Sequence, residues 1–348
     1  MYSSSLQRSS RPVAIWLLVG VGMIMIQVVL GGITRLTGSG LSITEWQPIL
    51  GAFPPMTEEK WQIAFDKYKE IGQFKHINFD FTLQDFKFIY FWEWLHRDWG
   101  RLIGVVFAIP FFIFLIRKKI RKEMVIPLII LFLLGGLQAV IGWIMVKSGL
   151  NENDIRVDHI RLAIHFLAAL GLLCYTLWFA LKLLVAPQEF VTNSSLKKFT
   201  GWLLALFSIQ LLYGAFMAGL KAGVAAPTWP TINGYWLPQQ TGNSWVSDSI
   251  NVQFIHRLMA YLLTILIAIW WWKAGKLTGS RLFNKTRSLP MLTVLIQVVL
   301  GVFTVIYSPN PKALLWLGAA HQFVAMLLLM ILVWMYYLLR RKTFDPIP

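Results

Sequence analysis

Residues 91–101 read Phe-Trp-Glu-Trp-Leu-His-Arg-Asp-Trp-Gly-Arg and lead directly into the uncharged segment from Leu102 to Ile116. That segment is too short to cross a bilayer, which needs about 20 residues of helix, so the span must include part of the polar cluster. Glu93 and His96 are thereby predicted one helical turn apart at membrane depth. Ionisable side chains there are costly and usually functional. A second histidine, His256, precedes another uncharged run, Leu258–Trp272, which argues against coincidence.

The composition is that of a polytopic membrane protein. Of the 348 residues, 57% are hydrophobic and 14% are charged, values far from those of a soluble domain with one core. The formal charge of +16 comes from basic residues between apolar runs, so we predict that they set the topology and that nucleic acid is not a partner. The single cysteine, Cys174, excludes an intramolecular disulfide and a cysteine-based metal site. We interpret the apolar stretch after Arg11 as a retained first helix rather than a cleaved signal peptide.

The charge-free runs predict an all-α integral membrane protein with eight transmembrane helices. The predicted spans are Pro12–Thr34, Ile89–Ile116, Met124–Val146, His159–Leu181, Phe199–Leu220, Ile250–Trp272, Ser288–Tyr307 and Leu314–Leu339.

The distribution of basic residues predicts the orientation. The segments 1–11, 117–123, 182–198, 273–287 and 340–348 contain 18 Lys and Arg against 3 Asp and Glu, whereas the rest of the chain contains 14 against 13. Basic loops remain on the cytoplasmic side. Both termini are therefore predicted to be cytoplasmic, in the inner membrane of a bacterium.

Two long segments are then predicted on the outer side. In residues 36–88, Thr57-Glu58-Glu59 resembles a helix start, and Trp61, Phe65, Tyr68 and Ile71 follow at helical spacing. We expect an amphipathic helix lying on the outer surface. The segment from Lys221 to Ser249 contains three prolines and predicts an irregular, structured cap.

An internal repeat divides the chain into two halves. Each odd-numbered span carries Gln-x-x-x-Gly in its outer half, and each even-numbered span carries one histidine near its outer end. The repeated pairs are Gln27/Gly31, Gln138/Gly142, Gln210/Gly214 and Gln297/Gly301, and the histidines are His96, His165, His256 and His321. This register predicts two pseudo-symmetric four-helix bundles, 1–185 and 198–340.

Four histidines at one depth indicate haem. A single intramembrane histidine can simply form an interhelical hydrogen bond, but two facing each other across a bundle are the usual axial ligands of a six-coordinate haem. Zinc is disfavoured because few cysteines or carboxylates accompany the histidines. His76 and His159 do not fit the register and are interpreted as surface or interfacial residues. Because the four lie near one face, the pattern favours lateral electron transfer between two sites, one of which can be a substrate site.

The two halves differ beside their first histidine. Glu93 precedes His96 by three residues, whereas Gln253 precedes His256. A carboxylate beside a haem could transfer protons or stabilise positive charge, and the alternative is an ion pair with a nearby arginine. Basic residues at the outer interface suit haem propionates, although they could equally extend to the interface to reach water. These residues are Arg35, Arg97, Arg101 and Arg257, with Lys221.

Three motifs carry a family resemblance. The run from Gly31 to Pro48, the Glu93-x-x-His96-Arg97 motif and the run from Ala226 to Pro230 resemble haem A synthase in its proteobacterial and mitochondrial form. The resemblance covers essentially the whole chain. This chain differs from part of the family in one respect: some members carry cysteine pairs in outer loops, and this chain has none.

The resemblance implies an oxidoreductase that converts a ring methyl of haem O to a formyl group through a hydroxymethyl, giving haem A for cytochrome oxidase. It implies that His96 and His165 address the substrate haem, that Glu93 is the essential acid, and that His256 and His321 ligate a permanent haem b. Implied partners are lipid, a haem O synthase as supplier and cytochrome oxidase assembly factors, with the electron acceptor and self-association left open. The alternative from the histidines alone is a dihaem b-type, quinol-linked electron carrier.

Overall fold

The computed structural model describes residues 2–46, 50–239, 242 and 244–340. Its α-helices are α1 Tyr2–Leu36, α2 Glu58–Lys69, α3 Gly72–His76, α4 Leu83–Ile116, α5 Lys122–Lys147, α6 His159–Leu184, α7 Ser194–Leu220, α8 Ser249–Gly275, α9 Arg281–Thr286, α10 Leu289–Ile306 and α11 Pro311–Leu338. No β-strand occurs among these residues.

The prediction of an all-α membrane protein is confirmed. Within the described ranges, eight helical segments are long and apolar enough to cross a bilayer, with α9 and α10 forming one of them. Several helices begin earlier than predicted: α1 begins at Tyr2 and α4 at Leu83, rather than at Pro12 and Ile89. The reason is that an uncharged run marks only the apolar part of a helix, whereas the helix continues until its backbone groups find other partners.

Polar caps start the four helices that carry the in-register histidines. The side chains of Thr82, Asp158, Asp248 and Asn310 accept hydrogen bonds from backbone N–H groups in the first turns of α4, α6, α8 and α11. Such residues satisfy N–H groups that have no partner within the helix. The caps fix the histidine-bearing helices at the end that the sequence predicts to be outer.

Helix contacts follow two rings that meet at the centre. Helix α1 contacts α4 and α6, and α5 contacts α4 and α6; likewise α8 contacts α7 and α10, and α11 contacts α7 and α10. The rings join through contacts of α1 and α6 with α7 and α11. At this junction the Gln322 side chain occupies the space that a Cβ on Gly32 would need, and its amide donates to the Val28 carbonyl. The division at 1–185 and 198–340 and its pseudo-symmetry stay predictions.

The predicted helix of the first outer segment is confirmed as α2, with Thr57 as its N-cap. Its apolar face is covered by protein, however, because Phe65 and Tyr68 are buried against Phe86 at the start of α4. The Tyr68 hydroxyl donates to Gln73 Oε1 at 3.0 Å and accepts from Asn78 at 2.7 Å. The helix therefore fixes the outer segment on α4 instead of turning this face to lipid.

The second outer segment is irregular and structured, as predicted. It begins with a 3-10 turn, Ala222–Ala225, and continues through a tight turn in which Ile232 and Tyr235 exchange backbone hydrogen bonds. Parts of the predicted features lie outside the described residues. These are Gln47 and Pro48 of the first motif, Gln240, Thr241 and Asn243 of this segment, and the ends of the chain at Met1 and 341–348.

Candidate functional site

Each of the four in-register histidines packs against the glycine of one Gln-x-x-x-Gly unit. A Cβ added to Gly31 would lie 3.0 Å from Cε1 of His96, and one added to Gly142 would lie 2.9 Å from that atom of His165. The corresponding distances are 3.4 Å from Gly214 to His256 and 2.9 Å from Gly301 to His321. Ordinary carbon contacts are about 3.5–4.0 Å. The glycines thus provide room for imidazole rings in direct contact with the helix backbone.

The glutamine one turn earlier reaches the same histidine. The amide Nε2 of Gln27 lies 3.4 Å from Nε2 of His96 and donates to the His96 carbonyl at 3.1 Å. Gln210 repeats both contacts with His256, at 3.4 and 3.0 Å. Gln297 lies 3.2 Å from His321 Nε2, and Gln138 donates at 3.3 Å to the His165 carbonyl.

The four units occupy one level because each glutamine lies nine or ten residues before the end of its helix, a rise of about 14 Å. The sequence predicted glutamines capable of bonding across helices. In the structure each one bonds across to the histidine-bearing helix beside it.

Unpaired buried atoms show what these sites are suited to bind. Nδ1 of all four histidines and Oε1 of all four glutamines are buried without a hydrogen-bond partner in the described structure. Such groups are uncommon, and each calls for an explanation. A ligand that coordinates imidazole nitrogen supplies one, and the ring centres of His256 and His321 are 6.4 Å apart. Metal–imidazole bonds are about 2 Å long, which places two rings on opposite sides of one metal roughly 6 Å apart. His256 and His321 therefore fit a bis-histidine haem.

Glu93 lies buried in α4 with both carboxylate oxygens engaged. Oε1 accepts from Arg97 at 2.6 Å, while Oε2 accepts from the Ser42 hydroxyl at 2.7 Å and the Ile43 backbone N–H at 2.9 Å. Arg97 donates in turn to the carbonyls of Ile43 and Glu45. The ion pair named as the alternative is thus present, and the pair binds the segment that follows α1 to the helix carrying His96.

In the second half the corresponding pair is Gln253 and Arg257, in which a neutral amide replaces the carboxylate. Arg257 donates to Oε1 of Gln253 at 3.0 Å and to the carbonyls of Ala226 and Thr231. The Gln253 amide donates to the carbonyls of Ala222 and Ala226. Both halves therefore use an i, i+4 pair to hold an outer segment, but only the first half buries a carboxylate there.

The remaining predicted cations occupy different surroundings. Arg35 donates to the Gly219 carbonyl at 2.5 Å and keeps a buried, unpaired Nε, whereas Arg101 pairs with Asp98 at 3.5 Å. Partial loss of hydration and the charges of Arg156 and Arg35 lower the pKa of Lys221. Arg35, Arg156 and Lys221 thus form a positive region where the two rings of helices meet.

The two histidines outside the register behave as predicted. His76 is exposed. His159 is partly buried at the start of α6, where its Nε2 lies 3.0 Å from the Val246 carbonyl and its ring contacts Phe216.

Sequence reasoning missed the contact of Ser42 and Ile43 with Glu93. The two segments are about fifty residues apart, and no periodicity relates a loop serine to a helical glutamate. The only signal is that Ser42 falls inside the run Gly31–Pro48, which carries the family resemblance but indicates no contact by itself. The stacking of Trp46 on Trp143, at 4.9 Å between ring centres, was missed for the same reason.

The fold and this arrangement define a class: a polytopic α-helical membrane protein with paired intramembrane histidines suited to haem. The chain belongs to the cytochrome oxidase assembly protein family, whose family model matches residues 14–333.

Curated relatives are similar over nearly their whole length. A protein of Flavobacterium johnsoniae named Heme A synthase is 40% identical, covering 93% of this chain and 96% of the relative. Proteins with that name from Rhodospirillum centenum and Beijerinckia indica are 41% and 42% identical; they cover 96% and 93% of this chain and 91% of each relative.

Proposed function

We propose that this chain is a haem A synthase, an oxidoreductase that converts a ring methyl of haem O to a formyl group by way of a hydroxymethyl. The observation that carries the proposal is the set of four partly buried histidines, each with a buried, unpaired ring nitrogen beside a Gln-x-x-x-Gly unit. The names of its relatives point to the same reaction. Each of the two oxidation steps removes two electrons, so the protein has to bind the substrate and provide a route for electrons away from it.

The two halves divide these tasks. His96 and His165 bind the substrate haem O in the half that contains the buried carboxylate, and His256 and His321 hold haem b as a resident cofactor. Haem b would supply electron transfer away from the substrate. The Gln253–Arg257 pair contains no carboxylate, which suits a site that only transfers electrons, whereas the Glu93–Arg97 pair adds a buried carboxylate to the half that would bind the substrate.

Glu93 is proposed as the residue on which the reaction depends. Its contacts support two roles, since the carboxylate adds negative charge near the substrate and it holds residues 42–45 over the first half. Arg97 fixes the orientation of this carboxylate. Arg35, Arg101 and Arg257 are proposed to lie near the propionates, and Arg35 offers an unpaired buried Nε for this purpose.

The cellular setting follows from the topology. We propose that the chain lies in the inner membrane of a bacterium with both termini in the cytoplasm, as the basic loops predict. Haem O arrives from a haem O synthase, and haem A passes to cytochrome oxidase assembly. Lipid surrounds the helices, and self-association stays a prediction.

The experiment produces the full-length chain in cells that make haem O but no haem A. We expect haem A and haem b in extracts of the purified protein. Glu93→Gln should abolish haem A and retain haem b, because it removes the charge but keeps an acceptor for Ser42. Asp98→Asn is the matched control, a loss of one carboxylate on the same helix, and should still yield haem A. Full haem A production by Glu93→Gln would exclude the proposed role of Glu93. Haem b as the only pigment in the wild-type protein would instead favour the dihaem electron carrier.

A further inference from the structure

The four histidines are not held equally. The rings of His96, His256 and His321 each have a glutamine amide within 3.4 Å of Nε2. His165 differs, because Gln138 contacts only its backbone carbonyl. Across the described part of the chain, His165 is the one member of the set whose ring nitrogens have no hydrogen-bond contact. Its imidazole packs against Gly142.

The two histidine pairs also differ in the contact between their rings. The rings of His256 and His321 contact each other with centres 6.4 Å apart. Among the described residues, no ring contact of this kind joins His96 and His165. In addition, the first half has less contact between α4 and α5 than the second half has between α8 and α10, whereas α6 packs extensively on α1.

Hydrogen bonds from neighbouring groups determine how firmly a histidine ligand is held. Such partners fix the orientation of a ligating imidazole, and removing one typically lowers metal affinity about 10- to 100-fold. Three of the four imidazoles have this support in the glutamine amide. His165 has the same type of residue one turn before its glycine, but the amide points to the backbone instead of the ring.

The geometry points to His165 as the exchangeable ligand of the substrate iron. This inference rests on the proposed function. His96 would hold the substrate haem throughout, and His165 would be the ligand that is released during the reaction. Such a release would be a ligand dissociation in which the imidazole keeps its electron pair and no electron or proton is transferred. His256 and His321 would both stay bound, which suits a haem that only transfers electrons.

Variants of the full-length protein loaded with haem O test this assignment through haem content and spin state. His165→Ala should retain haem O and show a high-spin spectrum, because His96 still binds the iron. His96→Ala should lose haem O by at least about tenfold. His256→Ala and His321→Ala are the matched pair in the second half, and each should lose low-spin haem b. Equal loss of haem O from His165→Ala and His96→Ala would overturn the inference, and retained haem b shows that the first-half variants are folded.

A second measurement needs no histidine substitution. Carbon monoxide binds reduced haem only where one iron position can open. It should therefore bind the haem O of the wild-type protein and leave haem b unchanged. Gln27→Leu should weaken haem O binding about 10- to 100-fold, and Gln138→Leu should have an effect well below that range.

Absence of carbon monoxide binding to bound haem O would overturn the inference, even if haem A is produced. A wild-type protein that binds no haem O at all would overturn the inference and the proposed function together.

Discussion

Substitution of the glycines that contact the histidines tests the site most directly. The second half offers a matched pair, Gly301→Ala and Gly214→Ala. The new methyl group would lie 2.9 Å from His321 Cε1 in the first variant and 3.4 Å from His256 Cε1 in the second. Both changes add the same atom to a helix of the same half, so they differ mainly in the available space.

The expected magnitude follows from these distances. Carbon atoms prefer separations of about 3.5–4.0 Å, so the His321 ring would have to move by roughly 0.6–1 Å, whereas a few tenths of an ångström would suffice for His256. Overpacking of this kind costs about 1–3 kcal/mol. At about 1.4 kcal/mol for each tenfold change, Gly301→Ala should weaken haem retention by roughly 5- to 140-fold. Gly214→Ala should change it little.

The assay extracts haem b from equal amounts of purified variant and records the low-spin absorption bands. Gly104→Ala is a control, because nothing lies within 4 Å of a Cβ at that position. Equal haem loss from Gly214→Ala and Gly301→Ala would contradict the reasoning, because the glycines would then act through something other than contact with the ring. Full haem retention by Gly301→Ala would also contradict it.

Three further predictions concern the outer segment. Ser42→Ala removes one hydrogen bond to the Glu93 carboxylate; bonds to charged groups are worth about 1.5–3 kcal/mol, so haem A production should fall, but less than in Glu93→Gln. Tyr68→Phe leaves Gln73 and Asn78 without their hydroxyl partner and should destabilise α2 by about 1–3 kcal/mol, measured as faster amide hydrogen exchange over residues 58–76. Burial raises the pKa of Tyr68 to about 12, so the stability linked to this hydroxyl is fully present below pH 10 and is lost as the pH rises from 10 through 12. Thr82→Ala removes the side chain that caps α4 and should cost about 0.5–2 kcal/mol, measured as a lower melting temperature.

Each of these predictions has a contrary outcome, and the Ser42 and Thr82 predictions also have a matched control. Ser39→Ala removes a hydroxyl that contacts Thr37 rather than Glu93, and it should spare haem A production; equal loss in both serine variants would refute the role of Ser42. Slower or unchanged exchange in Tyr68→Phe would show that its hydroxyl does not hold α2. Thr57→Ala removes the cap of the short helix α2 and should leave α4 unaffected, so equal melting temperatures for wild type and Thr82→Ala would contradict the importance of the α4 cap.

The sequence by itself determined the spans, their approximate ends and the register of the histidines. Lipid contains no water to satisfy backbone groups, so a long apolar run has essentially one available structure, the helix. Helical geometry also converts spacing along the chain into depth in the membrane. The sequence therefore shows the repeat of glutamine and glycine in odd spans and of histidine in even spans.

The tertiary structure alone decided which side chains meet. It placed Ser42 and Ile43 on the Glu93 carboxylate and Trp46 on Trp143, contacts between loops and helices that follow no periodicity. It also separated His165 from the other histidines, although the sequence presents all four units alike. Direct contact depends on helix rotation and side-chain orientation, which arise from packing among all helices together, and a motif fixes neither of them.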